Sequence, residues 1–396
     1  MSANQHHWDL AIVGAGPAGA SAALAALRLR PDLRVALVDR DDFPRDKCCG
    51  DGIAPHVLDV LRPLGAADVV DGWTPLRQLE LAQGSRRVEG QMARPVHVVP
   101  REVFDAALVK HASDAGAVLM RHRVHEVSSG PDGVSLDDLL TADVVVGADG
   151  ANSVVHTGLG LGRTSRRALA IRGYAPTTPE LRARQVLRWG DVRQPSYAWA
   201  FDRGDGWSNI GYGELVTSGS GQGDGAGPTR RHLLGELARL LPGAAEQGER
   251  WRGHHLPLSG RGWGSEQPDG RVLLAGDAAG LVNPMTGEGI YYAVATGSLA
   301  GTSAASCLTE GRPQAAGGAH RTHVRRLLSQ HLHHTWAAAL LARRPEVVRA
   351  GIAAARRPRH FDALVELGLG DGRITRGLAV GLVAGLARDL TGRKVA

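Results

Sequence analysis

Asp9-Leu10-Ala11-Ile12-Val13-Gly14-Ala15-Gly16-Pro17-Ala18-Gly19 is the stretch on which the fold turns. Its unbroken apolar run predicts a buried strand over residues 9–13. Gly14, Gly16 and Gly19 then match G-x-G-x-x-G, and the alanine-rich residues 20–29 read as a helix. A second apolar run, residues 35–38, ends in Asp39, twenty residues after Gly19. Strand, glycine turn, helix, strand and acid in that order supply the whole context of a dinucleotide-binding unit. The glycines let the turn approach a pyrophosphate, and Asp39 can accept hydrogen bonds from adenosine ribose hydroxyls. The expected class is therefore α/β with a Rossmann-type domain.

A chain of 396 residues suits two interleaved domains, and 43% hydrophobic with 22% charged residues suits a packed core. The net charge of +6 does not imply nucleic-acid binding, because Lys47, Lys110 and Lys394 are the only lysines and the arginines are scattered. Attraction to anionic substrates or to an anionic membrane surface fits the charge better. Cys48, Cys49 and Cys307 are too few for a disulfide framework or zinc site and suggest a reducing cytoplasm. The first eight residues are polar and lack a signal core, and no stretch reaches about 18 apolar residues. Residues 377–387, flanked by Arg373, Arg376 and Arg388, read as a packed C-terminal helix, with a membrane-surface helix as the alternative. His331, His333 and His334 have mixed spacing and no acidic partner nearby, so no metal site is expected. The Gly- and Ser-rich residues 217–228 read as a flexible loop.

Gly276-Asp277-Ala278-Ala279-Gly280-Leu281-Val282-Asn283-Pro284-Met285-Thr286-Gly287-Glu288-Gly289-Ile290 follows a short apolar strand, 271–275, and leads into a helical stretch, 291–299. Asp277 would stand at a strand's carboxyl end, within reach of sugar hydroxyls. Gly287 and Gly289 let the backbone approach a flat ligand, and the helix directs unpaired N–H groups at it. A flavin ring needs this arrangement, because reduction places negative charge on its N1–C2=O edge. Arg101, at the start of a helix beginning near residue 99, and the strand 144–146 leading into Asp149-Gly150 complete the set.

Together these segments resemble the supporting motifs of the glutathione-reductase-like FAD fold found in para-hydroxybenzoate-hydroxylase-type flavoproteins. Where that fold usually closes its third motif on arginine, this chain has His156. Phe43-Pro44-Arg45-Asp46-Lys47-Cys48-Cys49-Gly50-Asp51-Gly52-Ile53-Ala54-Pro55 resembles the P-R-x-K-x-C-G-x-G-x-x-P segment of the geranylgeranyl reductase family. Tyr197-Ala198-Trp199-Ala200-Phe201 is similar to its Y-x-W-x-F-P motif, with Asp202 in place of proline, and Asn209-Ile210-Gly211-Tyr212-Gly213 to its partner strand. The resemblance spans roughly residues 8–310.

It implies a glutathione-reductase-like FAD-binding domain (1–75, 98–165 and 268–325), an inserted β-rich substrate domain (76–97 and 166–267) and a C-terminal helical segment (326–396). For FAD it points to Gly14, Gly16, Ala18, Gly19, Asp39 and Arg40 at the first turn. Lys47, Cys49, Gly50, Arg101, Val124 and Asp149 follow, then Gly276, Asp277, Pro284, Gly287, Gly289 and Ile290. Lys47 and Arg45 read equally as a solvated loop. Alternation puts Tyr197, Trp199 and Phe201 on one strand face, either as an aromatic wall for an apolar substrate or as the second domain's own core. Residues 202–206 read as a turn, with 207–212 returning as a hairpin.

Cys49, Tyr197 and Trp199 are the catalytic candidates, Cys49 as a pocket-shaping thiol or proton donor. The glycine-rich residues 158–162 read as a loop, so no second dinucleotide turn is present, and NAD(P)H docking transiently or an external reductase must supply electrons. Family members reduce C=C bonds of polyprenyl groups. Relatives of similar architecture are hydroxylases, epoxidases and halogenases. The leading expectation is hydride transfer from reduced FAD to a prenyl-type substrate. The alternative is a monooxygenase or halogenase acting on a small aromatic or alkene, whose reduced flavin traps O2 as a C4a-hydroperoxide.

Overall fold

The computed structural model describes residues 7–161, 167–191, 194–216, 228–260, 263 and 267–392. Most of the expected loop at 217–228, the end of the 158–162 run, and Lys394 lie outside them.

A seven-stranded sheet carries the glycine turn. Val118–Arg121, Val35–Asp39, His7–Val13 and Leu140–Gly147 lie side by side and parallel. The N-terminal half of Leu140–Gly147 pairs with an antiparallel hairpin, Gly133–Leu136 and Val127–Gly130, and its C-terminal half pairs parallel with Val272–Leu274. Leu10, Ala11, Ile12 and Val144 to Val146 are fully buried. A parallel sheet covered on both faces explains why these strands read as continuous apolar runs. The helix Pro17–Leu29 packs on Ile290–Thr309 at very close range. A Cβ on Gly297 or Gly301 would stand 2.1 or 2.0 Å from the carbonyl oxygen of Ala18 or Ala22. That packing extends the helix expected at 291–299 to twenty residues.

An eight-stranded sheet lies beside the first, in the order Glu249–Pro257, Arg167–Pro176, Trp207–Val216, Ser196–Asp202, Arg184–Trp189, Leu76–Gln83, Arg86–Val98 and Gly52–Ile53. Its pairs are antiparallel except Arg184–Trp189 with Leu76–Gln83. The hairpin register sets Tyr197 opposite Gly213, Trp199 opposite Gly211 and Phe201 opposite Asn209. Ala198 and Ala200 consequently face the helix Arg230–Leu240, where they join Ile171, Ile210, Leu233 and Leu237 in a second core. The three aromatics point to the opposite side.

Four helices close the chain: Ala316–Leu341, Pro345–Ala354, Pro358–Leu369 and Arg376–Gly392. The first runs through the expected division at 325/326. The next two press Ile352 and Phe361 onto Leu79, Met92 and Val96 of the second sheet. In the last, Leu378 is buried while Val380 and Val383 are each 69% exposed. Among the described residues no helix is long and apolar enough to cross a membrane.

Candidate active site

The glycine turn is built by close approach. Gly14 sits at φ 99°, and a Cβ there would meet the Ala148 carbonyl oxygen at 2.4 Å. Gly16 caps the first helix without a side-chain hydrogen bond, so its first N–H groups remain available to an anion. The Asp39 carboxylate accepts the Ala15 N–H at 2.7 Å and the Asp41 N–H at 3.0 Å, which fixes it on the rim of the cavity. Gly14, Gly16, Ala18, Arg40 and Val124 line the same cavity. Gly19 stands behind its wall, where a Cβ would collide with the Gly14 carbonyl oxygen at 1.8 Å. Its glycine serves turn-to-helix packing rather than contact. Arg45 leans over Gly16, held by Asp105 at 3.2 Å.

Asn283 shapes the second glycine-rich segment. Its N–H reaches the Glu288 carbonyl at 2.9 Å, its side-chain oxygen accepts the Met285 N–H at 2.9 Å, and its amide donates to Leu367 at 3.1 Å. Pro284, Gly287, Gly289 and Ile290 thereby form cavity wall at the start of the long helix. Gly276 does not reach the cavity; at φ 59° it packs against Ala293 and Ala18. Asp277 faces inward with the Lys47 ammonium 3.5 Å from its carboxylate. Lys47 is thus tied to the acid at the strand end instead of free in solvent. Asp149 turns one oxygen on the Val154 N–H at 2.7 Å and lines the cavity. His156, standing where arginine is usual, bonds the Ala278 carbonyl at 2.8 Å and ties this motif to the Asp277 segment.

Between these two turns lies the Cys49 loop. Burial pushes the Cys49 thiol up, while the adjoining Arg101 guanidinium works against that shift. Arg101 is itself buried and gripped by Asp105 at 2.6 and 2.7 Å. Cys48 turns away, donating to the Arg252 carbonyl at 3.2 Å, and burial pushes its thiol up to about 12.

The loop is fastened to the second sheet by a buried network. Asp51, at φ 58°, accepts the Tyr174 hydroxyl at 2.6 Å and the Asn209 amide at 2.8 Å. Asn209 also donates to the Cys49 carbonyl at 2.9 Å and accepts the Trp199 indole N–H at 2.8 Å. Gly211 opposite leaves room for that indole, since a Cβ would stand 2.2 Å from the ring. Tyr197 donates to the Thr286 carbonyl, joining the aromatic strand to the Gly287 turn. The carboxylate of Asp202 is consumed by backbone groups, accepting the Gly204 N–H of its own turn at 2.9 Å and the Ala183 N–H beside the neighbouring strand at 2.6 Å.

Three residues of the site escaped sequence reading, two of them in the cavity wall. Asp51 carried a faint signal in its Asp-Gly pair. Glu288 lay inside a quoted motif without being singled out; burial pushes its carboxyl up to about 7. His254 carries no signal in the sequence, yet its Nε2 is buried without a hydrogen-bond partner, and burial lowers the ring to about 4. The histidines of the long C-terminal helix serve packing: His331 bonds Tyr292 and the Gly372 carbonyl.

The two turns, the Cys49 loop and the aromatic strand border one cavity of about 1010 Å³, running from Gly14 and Asp39 past Cys49 and Gly287 to Leu378 and Leu382. Residues 7–193 match the model of an FAD binding domain family. The chain is 36% identical to the menaquinone reductase of Mycolicibacterium smegmatis over 314 residues, 74% of this chain and 75% of that protein. It is 30% identical to the geranylgeranyl diphosphate reductase of Rhodobacter capsulatus over 330 residues, 77% of each. The chain belongs to the geranylgeranyl reductase family of FAD-dependent oxidoreductases. In fold it resembles the crystal structure of a geranylgeranyl bacteriochlorophyll reductase-like protein from Thermoplasma acidophilum, with TM-score 0.76 at 16% identity, covering 98% of this chain and 99% of that one.

The geometry suits the family's cofactor. The uncapped helix start at Gly16 and the Asp39 carboxylate fit the pyrophosphate and ribose of FAD. The unpartnered His254 Nε2 and the glycine-lined Gly287–Ile290 turn fit its polar ring edge.

Proposed function

We propose that this FAD-dependent oxidoreductase reduces carbon–carbon double bonds of prenyl-type, isoprenoid substrates. The continuity of the cavity carries the reading: the turn suited to the flavin ring opens directly into an arm walled by Leu79, Leu187, Ile352, Leu364 and Leu382. An apolar chain can lie along that arm with one double bond against the Cys49 loop. The names of the mycobacterial and Rhodobacter relatives agree with such a substrate.

FAD, when bound in reduced form, would supply hydride chemistry for a double bond lying against it. Tyr197 and Trp199 hold the chain, with their ring centroids 6.1 Å apart and both anchored by hydrogen bonds. Cys49, kept as a thiol by burial, delivers the proton to one carbon of the double bond. Arg101 beside the sulfur stabilises the thiolate until solvent reprotonates it. Electrons would come from NAD(P)H docking transiently or from a separate reductase. The free thiols Cys48, Cys49 and Cys307 suit a cytoplasmic enzyme.

Anaerobically reduced enzyme mixed with a polyprenyl quinone or diphosphate is expected to yield a product heavier by two hydrogens. No anaerobic product, with one oxygen atom added once O2 is admitted, would replace this reading with a monooxygenase.

A further inference from the structure

The apolar arm ends among the C-terminal helices, and the surface around that end is unusually apolar. Of the eight large hydrophobic side chains standing exposed among the described residues, four stand on the helices that wall this end, Leu340 and Leu341 at the close of Ala316–Leu341 and Val380 and Val383 on Arg376–Gly392, at 43, 56, 69 and 69% exposure. Leu341 also lines the cavity, so the exposed patch and the arm meet at one residue.

The helix Arg376–Gly392 explains the arrangement. Its small residues face inward: a Cβ on Gly385 would stand 3.0 Å from the Ala350 carbonyl oxygen, and one on Gly381 2.5 Å from the His360 ring. Leu378 and Leu382 on the same side line the arm. At 100° per residue, Arg376, Val380 and Val383 therefore share the outer face. The same contacts lay this helix along Pro345–Ala354, with its start beside the junction that carries Arg356 and Arg357 and the first turn of the next helix, which carries Arg359. Arg343 and Arg344 follow Leu341 after Ala342. These five arginines, with Arg373 and Arg376, are all exposed, whereas the exposed carboxylates from 340 to 376 are Asp362 and Asp371. The remaining acids of that span are engaged, Glu346 with Arg349 and Glu366 with His56.

We propose that this corner docks on an anionic lipid bilayer. Leu340, Val380 and Val383 enter the headgroup boundary, the arginines bind lipid phosphates, and the mouth at Leu341 takes the prenyl chain from the bilayer without passage through water. The substrate delivered rests on the proposed function; the lipid contact does not. Charge and continuity with an apolar cavity select a lipid surface over a protein partner.

The test is co-sedimentation of the FAD-loaded enzyme with phosphatidylglycerol–phosphatidylcholine vesicles and with pure phosphatidylcholine vesicles. The enzyme is expected to bind the anionic vesicles, more weakly as salt rises. A Val380→Glu/Val383→Glu variant is expected to lose at least about tenfold in vesicle affinity, with flavin content and turnover of detergent-dispersed substrate unchanged. Arg343→Ser/Arg344→Ser is expected to weaken the salt-sensitive part alone. Equal binding to neutral vesicles, binding undiminished in the valine variant, or a solution dimer that this variant dissociates would each overturn the proposal. Vesicle binding without prenyl reduction would retain the docking surface and reject only the function.

Discussion

Asn209 is the residue through which the site holds its shape. One amide side chain contacts the Cys49 carbonyl, the Asp51 carboxylate and the Trp199 indole. Asn209→Ala leaves buried partners unsatisfied and is expected to cost about 1–3 kcal/mol per lost group, read by denaturant unfolding. Turnover should fall while FAD remains bound. A variant as active as the parent would show that Cys49 and Trp199 need no common anchor. Two acids nearby carry an uncommon sign. Burial raises Glu288 to about 7 and Asp51 to about 6, Glu288 against the Tyr291 and Ile290 N–H groups, His56 and Arg101. A carboxyl with a raised folded-state value binds its proton more tightly in the native state, so stability falls as pH rises through the interval. These two carboxyls therefore contribute a loss of stability between about pH 4 and pH 7, opposite in sign to the buried histidines His254 and His320, whose lowered values add stability as pH rises over much of that interval. Glu288→Gln with Asp51→Asn should remove that loss, so that the variant gains stability relative to the parent as pH rises from about 4 to about 7, and an unchanged difference would count against both burials.

At the scale of elements, the two turns and the aromatic hairpin were legible because each is a local pattern. The run from Asp9 to Asp39 contains its own strand, turn and acid, and Tyr197 to Gly213 contains both hairpin strands. The network behind Cys49 was not legible, because Asp51, Tyr174 and Asn209 meet across more than a hundred residues of sequence. The arm was hidden for the same reason: Leu79, Ile352 and Leu382 come from separate segments, two of them beyond the family resemblance. Packing of Pro17–Leu29 on Ile290–Thr309 sets the distance between the two turns. Gly301→Leu would drive a side chain into the Ala22 carbonyl, 2.0 Å from its Cβ, and separate the helices. An expected loss of about 3 kcal/mol, with unchanged denaturant dependence, is checked by urea unfolding. A loss within experimental scatter would mean that the helices part without cost.

Over the whole molecule, the proposed function makes one cavity serve both cofactor and substrate. FAD should stabilise the fold by about 2.7 kcal/mol at roughly a hundred times its dissociation constant. Thermal unfolding with and without FAD reads that shift. Asp277→Ala, which strips Lys47 of its partner, is expected to remove most of it; a full shift in the variant would place the ribityl chain elsewhere. In the proposed function, bound flavin and an apolar chain share the space between Gly287 and Leu382. That sharing is tested most directly by photoreducing the FAD-loaded enzyme without oxygen, adding a prenylated quinone, and following the oxidised-flavin absorbance. Return of that absorbance in step with saturation of one prenyl double bond is the expected result. A flavin that stays reduced until oxygen enters, with every prenyl double bond intact, would contradict it.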